Sequence, residues 1–352
     1  MLVADIAVAQ QAAAQPSVAQ QAATQPAPKS KSGVWRLEIG NEDKGGLEAP
    51  FEAVFDPIFG ENAPEGELTW AWRLSYDAPE GDKADWVRGA RRYLFWVPRR
   101  SDVRYGYSAE QAAHTANSII RAANGTVRPH AGYLAFGTRL SFTEKETKHL
   151  RRMDTIDAAI GFVGPFSLAQ TFHEAAHDIK GSDTDPWDEI NSEPFANINI
   201  EHGHRLFLRP PDAGGHNLEL HPYIGGAFGN AFTYASAGVT LRIGNHLDKD
   251  AGAPRFRQIL SGSNFPQIGN YFAWNVFVGI EGRAIAHNVL FGNTFEEGRS
   301  EEFRAFVYDV QAGLELGWGA YRLSAMNVFR LREFEGQGPS AQFVRVALSA
   351  HF

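Results

Sequence analysis

Tyr133-Leu134-Ala135-Phe136-Gly137-Thr138-Arg139-Leu140-Ser141-Phe142 is the stretch on which the fold class turns. Its even positions are Leu134, Phe136, Thr138, Leu140 and Phe142, and its odd positions are Tyr133, Ala135, Gly137, Arg139 and Ser141. Successive strand side chains point to opposite faces, so this period of two predicts a β-strand with one apolar face and one small or polar face. The pattern recurs along the chain. Phe272, Trp274, Val276, Val278 and Ile280 oppose Asn275, Gly279, Glu281 and Arg283. Val239, Leu241 and Ile243 oppose Thr240 and Arg242. Val310, Ala312, Leu314, Leu316 and Trp318 oppose Gln311, Gly313, Glu315 and Gly317. The final run sets Val344, Val346, Leu348, Ala350 and Phe352 against Arg345, Ser349 and His351.

A soluble sandwich or a lipocalin-like barrel also alternates, but its exposed polar face is usually rich in Lys and Thr. Here the polar face mixes Arg, Glu, Gln and Asn with many Gly, and the apolar face carries aromatics. That combination predicts a barrel with a wet, narrow interior and a lipid-facing exterior. The ending on Phe352, on the apolar face of the last run, is common among outer-membrane barrels. The expected fold is all-β: a transmembrane antiparallel up-and-down β-barrel. No apolar run approaches the roughly 20 residues that a transmembrane helix needs.

Composition narrows the function classes. Lys plus Arg is 33 and Asp plus Glu is 41, so 33 − 41 gives −8 over 352 residues. That balance argues against nucleic acid as a partner, which calls for a basic face. The chain has 0 Cys, which excludes disulfides, thiolate catalysis and Cys-ligated metal. Residues 1–32 stand apart. Residues 10–32 are rich in Gln, Ala and Pro without an apolar period, which predicts a disordered leader or linker. Ala7-Val8-Ala9 is an A-x-A pattern of the kind that signal peptidase cuts, although the preceding residues lack a basic start and Asp5 interrupts their apolar run. The barrel is expected over residues 33–352. Residues 45–66 and 211–215 are expected to be loops. Helical spacing appears over 109–123 and 168–179, and such helices in a barrel are expected as decoration of its loops.

The second of these helices contains His173-Glu174-Ala175-Ala176-His177, a literal H-E-x-x-H. On a helix this places two His one turn apart on one face, able to share a zinc ion, with the Glu as general base. The extended zinc motif has Gly three residues after the second His. This chain has Lys180 there, and a third ligand would come only from Asp183, Glu193 or Glu201. The bland alternative is a pair of surface His. No G-x-S-x-G occurs, so a serine nucleophile on an elbow is not indicated.

The same region carries a longer pattern. Ile160-Gly161-Phe162-Val163-Gly164-Pro165, Ser167-Leu168-Ala169, His177, Trp187-Asp188 and Glu193-Pro194 follow one another. Upstream stands Arg128-Pro129-His130-Ala131-Gly132-Tyr133. Downstream stand Pro222, Tyr234-Ala235-Ser236-Ala237-Gly238, Leu241-Arg242-Ile243-Gly244, Glu281-Gly282-Arg283-Ala284, His287-Asn288, Gly292-Asn293-Thr294-Phe295 and Arg332-Glu333-Phe334-Glu335-Gly336-Gln337. In this order, over roughly residues 128–352, the segments resemble the outer-membrane lipid A 3′-O-deacylase family. In the N-terminal third, Asn41 and Thr69 match the family's functional Asn and Thr. Glu42 replaces its Asp, unless Asp43 takes that place, and the Asn-Gly that follows the family's Thr is missing. His173 stands where the family tends to have Gln, a single change that creates the H-E-x-x-H. Asp183 matches an acidic residue six positions after the catalytic His.

The resemblance implies a 12-stranded barrel in the Gram-negative outer membrane. It implies calcium-dependent hydrolysis of the ester that fixes the 3′-linked acyloxyacyl chain to lipid A. Lipopolysaccharide of the outer leaflet is then the partner, and a monomer is expected. The residues suit that chemistry. His177 titrates near neutrality and can take a proton from water, and Asp183 can hold its tautomer. Asn41 with Glu42 or Asp43 offers the hard oxygen ligands that calcium prefers, and Thr69 adds a hydroxyl. Zinc at His173 and His177 is the weaker alternative metal, and a barrel that has lost catalysis is the alternative function.

Overall fold

The computed structural model describes residues 33–41, 68–79, 84–114, 130–180, 187, 189–209, 215–255, 271–292, 303–333 and 341–351. The leader expected over 1–32 lies outside the described residues, as do the loop of 45–66 and most of 211–215.

Twelve strands form one closed sheet: β1 (Val34–Asn41), β2 (Leu68–Asp77), β3 (Asp102–His114), β4 (Ala131–Lys145), β5 (Leu150–Val163), β6 (Glu193–Phe207), β7 (Asn217–Gly229), β8 (Phe232–Gly244), β9 (Phe272–Asn288), β10 (Phe306–Trp318), β11 (Tyr321–Arg330) and β12 (Ala341–His351). Each pairs antiparallel with its sequence neighbours, and β12 closes on β1 with Val34 opposite His351 and Asn41 opposite Val344. Closure leaves no unpaired edge, which a sheet surrounded by lipid requires. β1 begins and β12 ends at one rim, called here the terminal rim; the opposite end is the far rim. Odd-numbered strands run from the terminal rim to the far rim.

Burial follows the alternation. On β6, Glu193, Phe195, Asn197, Asn199, Glu201 and Arg205 face the lumen and are buried, whereas Ile198 and Ile200 face outward and are 48% and 44% exposed. Phe136, Ile160, Val278, Ile280 and Leu316 are likewise outward and exposed. The outside of the barrel is thus an apolar band with aromatic residues, as lipid demands.

The lumen is filled. Apolar side chains fill part of it, among them Tyr133, Ala135, Phe195, Phe277, Met326, Val328 and Phe343. Paired charges fill the rest, from the far rim, where Asp309 meets Arg283 and Arg330, to the terminal rim. Arg345 and Arg73 meet Glu38, and Arg73 Nε donates to Glu110 at 2.8 Å. Residues 245–255, which follow β8, fold into the terminal-rim end as a plug. Leu247 and Asp250 are buried, and Ala253 packs against the apolar cluster. Asp250 accepts from Arg242 Nη2 at 2.7 Å and lies 3.2–3.3 Å from Arg205 and Arg322. Burial alone would raise the Asp250 carboxyl, but Arg242 and Arg322 hold it well below the usual carboxylate range.

Two sequence readings are corrected. The helix expected over 109–123 does not form in its first part: 109–114 is the end of β3, paired with β2 and β4, and 115–123 lies outside the described residues. The Ala-rich spacing mimics a helix, but Ala112 and Ala113 are small because both faces of the wall are covered there. Leu140 and Phe142, expected to face lipid, are on the outward face but buried. The connection between β2 and β3 contains a short helix, α1 (Asp85–Arg91), and residues 84–97 lie over Tyr105, Leu140 and Phe142. The helix expected over 168–179 is present as α2 (Ala169–Lys180).

Candidate active site on the outer wall

β5 is followed by Gly164, whose φ of +73° and close approach to the carbonyls of Ile190 and Asn191 leave no room for a side chain. A 3-10 turn, Gly164–Ser167, follows. Leu168 then adopts a left-handed conformation with φ of 60°, and the Ser167 hydroxyl accepts from the Ala169 N–H at 3.2 Å to start α2. The sharp reversal lays α2 back against the outside of the barrel at the far rim.

Small and polar residues of the outward face seat the helix. Gly132 of β4 lies under Ala169 and Ser167, so close that a β-carbon there would come within 2.6 Å of the Ser167 hydroxyl. Gln111 of β3 donates to the Ser167 carbonyl at 2.5 Å and accepts from the Trp72 indole N–H at 2.9 Å. Trp70 of β2 packs on Phe172 of α2 with ring centroids 6.1 Å apart. The opposite side of this segment is apolar and open: Phe166, Leu168 and Phe172 are 66%, 51% and 51% exposed. The helix therefore presents grease outward, beside the exposed Ile160 and Phe162 of β5.

His173 is buried on the inner side of α2, its ring 5.0 Å from the Trp187 ring, and the His130 ring lies 4.5 Å from the same indole. Glu174 is exposed and accepts from Gln170 at 2.8 Å. The chain after Trp187 returns to the wall: Glu189 bridges His130, Ile190 N–H donates to the His130 carbonyl at 3.1 Å, and Gly132 N–H donates to Glu189 Oε1 at 3.0 Å. Glu189 Oε2 is buried without a hydrogen-bond partner among the described residues. Burial raises the Glu189 carboxyl above the ordinary range, against the lowering effect of its hydrogen bonds.

The predicted site residues are distributed as follows. His177 lies on α2 one turn beyond His173, and its side chain is outside the described residues. Asn41 ends β1 opposite Trp70 of β2, and the β2–β3 ladder shifts register between Leu68 and Trp70, across Thr69. Asn41 and Thr69 thus come to adjacent strand ends at the far rim, in the sector where Trp70 touches α2. Their side chains, and all of Glu42, Asp43 and Asp183, lie outside the described residues. Two of the three residues considered as a third zinc ligand are separated from the helix by the wall: Glu193 and Glu201 face the lumen, where Glu201 pairs with Arg255 at 2.5 Å. Among the described residues, no group of three His, Asp or Glu side chains could hold a metal. The seat itself, Gln111, Gly132 and Glu189, carries no motif of its own, and only its proximity to His130 and Trp187 in the quoted segments could have pointed to it.

Across residues 12–352 the sequence matches the family described as Outer membrane protein LpxR. Among solved structures, LpxR from Salmonella typhimurium superposes with a TM-score of 0.71 at 18% identity, covering 91% of this chain and 100% of that one. The β-domain of the Bordetella autotransporter BrkA covers 92% of this chain and 100% of its own at 9% identity, with a TM-score of 0.44. The translocator domain of the autotransporter NalP from Neisseria meningitidis covers 99% and 98% at 8% identity, with a TM-score of 0.40. A comparison with curated proteins finds no match. The match over nearly the whole sequence, on a closed barrel of twelve strands with an apolar exterior, shows that the chain belongs to the LpxR family of barrels of the Gram-negative outer membrane.

Proposed function

We propose that the protein hydrolyses the ester holding the 3′-linked acyloxyacyl chain of lipid A, at the outer leaflet. One observation carries this reading: the helix bearing His173 and His177 is docked on the lipid-facing wall and not in the lumen, with Phe166, Leu168 and Phe172 exposed around it. A substrate that is itself a membrane lipid reaches such a site sideways, with its acyl chains still in the apolar band. A polar substrate arriving through the lumen would not, because the lumen is packed. In this reading the far rim faces outward and the terminal rim faces the periplasm.

His177 takes the proton from the attacking water and returns it to the leaving alkoxide, so that an acid and an alcohol are released. Asp183 holds the imidazole in the tautomer that can accept. The donors at the ends of β1 and β2 are oxygens: the Asn41 amide, the Thr69 hydroxyl and the carboxylate of Glu42 or Asp43. That set suits calcium rather than zinc. Calcium, when bound, would stabilise the negative charge that develops on the ester carbonyl. The His130–Trp187–His173 stack and the Gly132–Ala169 contact fix the helix against the wall. The test is the mass spectrum of lipid A from a Gram-negative host with and without expression of the chain. Loss of the mass of the 3′ acyloxyacyl group on expression supports the reading, and an unchanged spectrum with the protein folded in the outer membrane overturns it.

A further inference from the structure

A second surface lies at the opposite end of the outer wall. Residues 84–101 leave the terminal rim, turn up against the outside of the barrel and cover the outward face of β3, β4 and β5. Val87, Val97 and Leu94 pack on Tyr105, Leu140, Phe142 and Ile156. Trp86 packs edge-on against Tyr105 at 5.6 Å and donates its indole N–H to the Tyr107 hydroxyl at 3.1 Å. Arg152 of β5 reaches the Trp96 carbonyl at 2.9 Å. The segment is therefore fixed to the wall.

Its outer surface has two chemistries side by side. Tyr93 and Phe95 are 74% and 91% exposed, and Trp96 is exposed beside them. The same eighteen residues carry Arg88, Arg91, Arg92, Arg99 and Arg100 against one acid, Asp85. Asp85 pairs with Arg88, Arg91 donates to the Pro98 carbonyl and Arg92 Nε donates to the Gly89 carbonyl at 3.1 Å; Arg92, Arg99 and Arg100 are exposed. A protein whose formal charge is −8 thus concentrates cations at one place on its membrane-facing wall. Aromatic side chains suit the boundary between acyl chains and headgroups, and guanidinium groups beside them reach phosphates.

We infer that residues 84–101 form a docking surface for anionic phospholipid headgroups of the leaflet at the terminal rim. Phe95 and Tyr93 insert among the acyl chains, and Arg92, Arg99 and Arg100 bind the phosphodiester. Electrostatic attraction of this kind gains about fivefold in affinity for each basic residue near an anionic bilayer surface. The assignment of leaflet rests on the orientation proposed above, but the surface is at the rim opposite α2, so the two readings can fail separately.

The test uses the full-length protein in nanodiscs. One set contains phosphatidylethanolamine alone, another phosphatidylethanolamine with phosphatidylglycerol, and a third phosphatidylethanolamine with lipid A. Lipids retained after transfer to mild detergent are measured by native mass spectrometry, for the wild type and for Arg92→Gln/Arg99→Gln/Arg100→Gln. The expected result is selective retention of phosphatidylglycerol by the wild type and a drop of about a hundredfold in the triple variant, with 3′ deacylation unchanged. Equal retention of phosphatidylglycerol by both proteins overturns the inference, as does wild-type preference for lipid A that the triple variant loses. Phe95→Ser should weaken retention without changing the preference for charge. Loss of deacylase activity in every sample, with phosphatidylglycerol still bound selectively, would refute the proposed function and leave this surface standing.

Discussion

Gly132 and Ala169 share one contact: the main chain of β4 passes so close to the first turn of α2 that a β-carbon at position 132 would overlap the Ala169 methyl. Sequence separates the two by a whole hairpin, yet this contact sets the height of α2 above the wall. Gly132→Val should therefore lift α2 while leaving strand pairing intact, because the added methyls point outward. A displacement of about 1 Å at a catalytic group costs on the order of 10²-fold in rate. Lipid A deacylation should fall by that amount while the variant still shows the heat-modifiable mobility of a folded barrel. Undiminished turnover would show that the contact does not position the site.

The outward face makes a second prediction, one of depth. Ile280 is near the middle of β9 and 47% exposed, and Phe272 opens the same face at the terminal rim. Ile280→Arg should cost about 2–4 kcal/mol of folding stability in a bilayer, and Phe272→Arg about 0–1 kcal/mol. Urea titration of folding into liposomes measures both. Equal, small costs would mean that this face does not contact lipid.

Asp250 holds the lumenal plug through Arg205, Arg242 and Arg322. Asp250→Ala takes this carboxylate from Arg322 and leaves Arg205 and Arg242 with Glu219 beside them, and removing one partner of a buried ion pair costs about 3–5 kcal/mol. Because Arg242 and Arg322 depress this carboxyl, the stability it contributes is present above the ordinary carboxylate range and is lost only in strong acid. A lower melting temperature for the variant at neutral pH is expected. In planar bilayers the wild type should be silent and Asp250→Ala should show conductance steps. Open, steady conductance by the wild type would instead favour a passive barrel.

Glu189 reports on the helix seat through pH. Burial raises its carboxyl, so the folded protein binds that proton more tightly than the unfolded chain. The favourable contribution is then complete below the ordinary Glu pKa and disappears as pH rises through the raised one. Glu189→Gln keeps an oxygen to accept from Gly132 N–H and removes the titration. The variant should be at least as stable as the wild type at pH 7, with a flatter dependence between pH 4 and 7. A stability loss at neutral pH would show that the charged form is the one the seat requires.

The barrel was legible because lipid on one side and a packed lumen on the other force the same alternation on every strand, as Ile198 and Asn199 show. The helix at 169–180 was legible from its Gly-Pro boundary and its His spacing. What the alternation hid was cover. Leu140 and Phe142 have the pattern of lipid-facing residues, yet they lie under Val87 and Val97. α1 itself has seven residues and buries only Val87, too little for a periodic signal. The Ala109–Ala113 run looked helical because small residues suit both a helix and a wall covered on both sides. The seat of α2 was illegible for another reason: Gln111 and Ser167, or Gly132 and Glu189, meet across more than fifty residues of chain.

The last prediction concerns His177 and His173. They lie one turn apart on α2, but the two metals assign them different work. If calcium sits at the ends of β1 and β2, His177 is the base and His173 is a packing residue against Trp187. His177→Ala should then lower deacylation by at least about 10²-fold, the usual scale for a general base, without unfolding the barrel. His173→Gln restores the residue common in the family and destroys the H-E-x-x-H pattern. It should retain activity, because the Gln amide fills much of the same space beside Trp187. If zinc is the working metal, both variants lose a ligand and both fail, and activity disappears under a zinc-selective chelator and returns with zinc alone. Release of the 3′ acyl group, measured for both variants with calcium present and with zinc chelated, separates the cases. An active His177→Ala would sink the mechanism, and an inactive but folded His173→Gln would move the metal onto the helix.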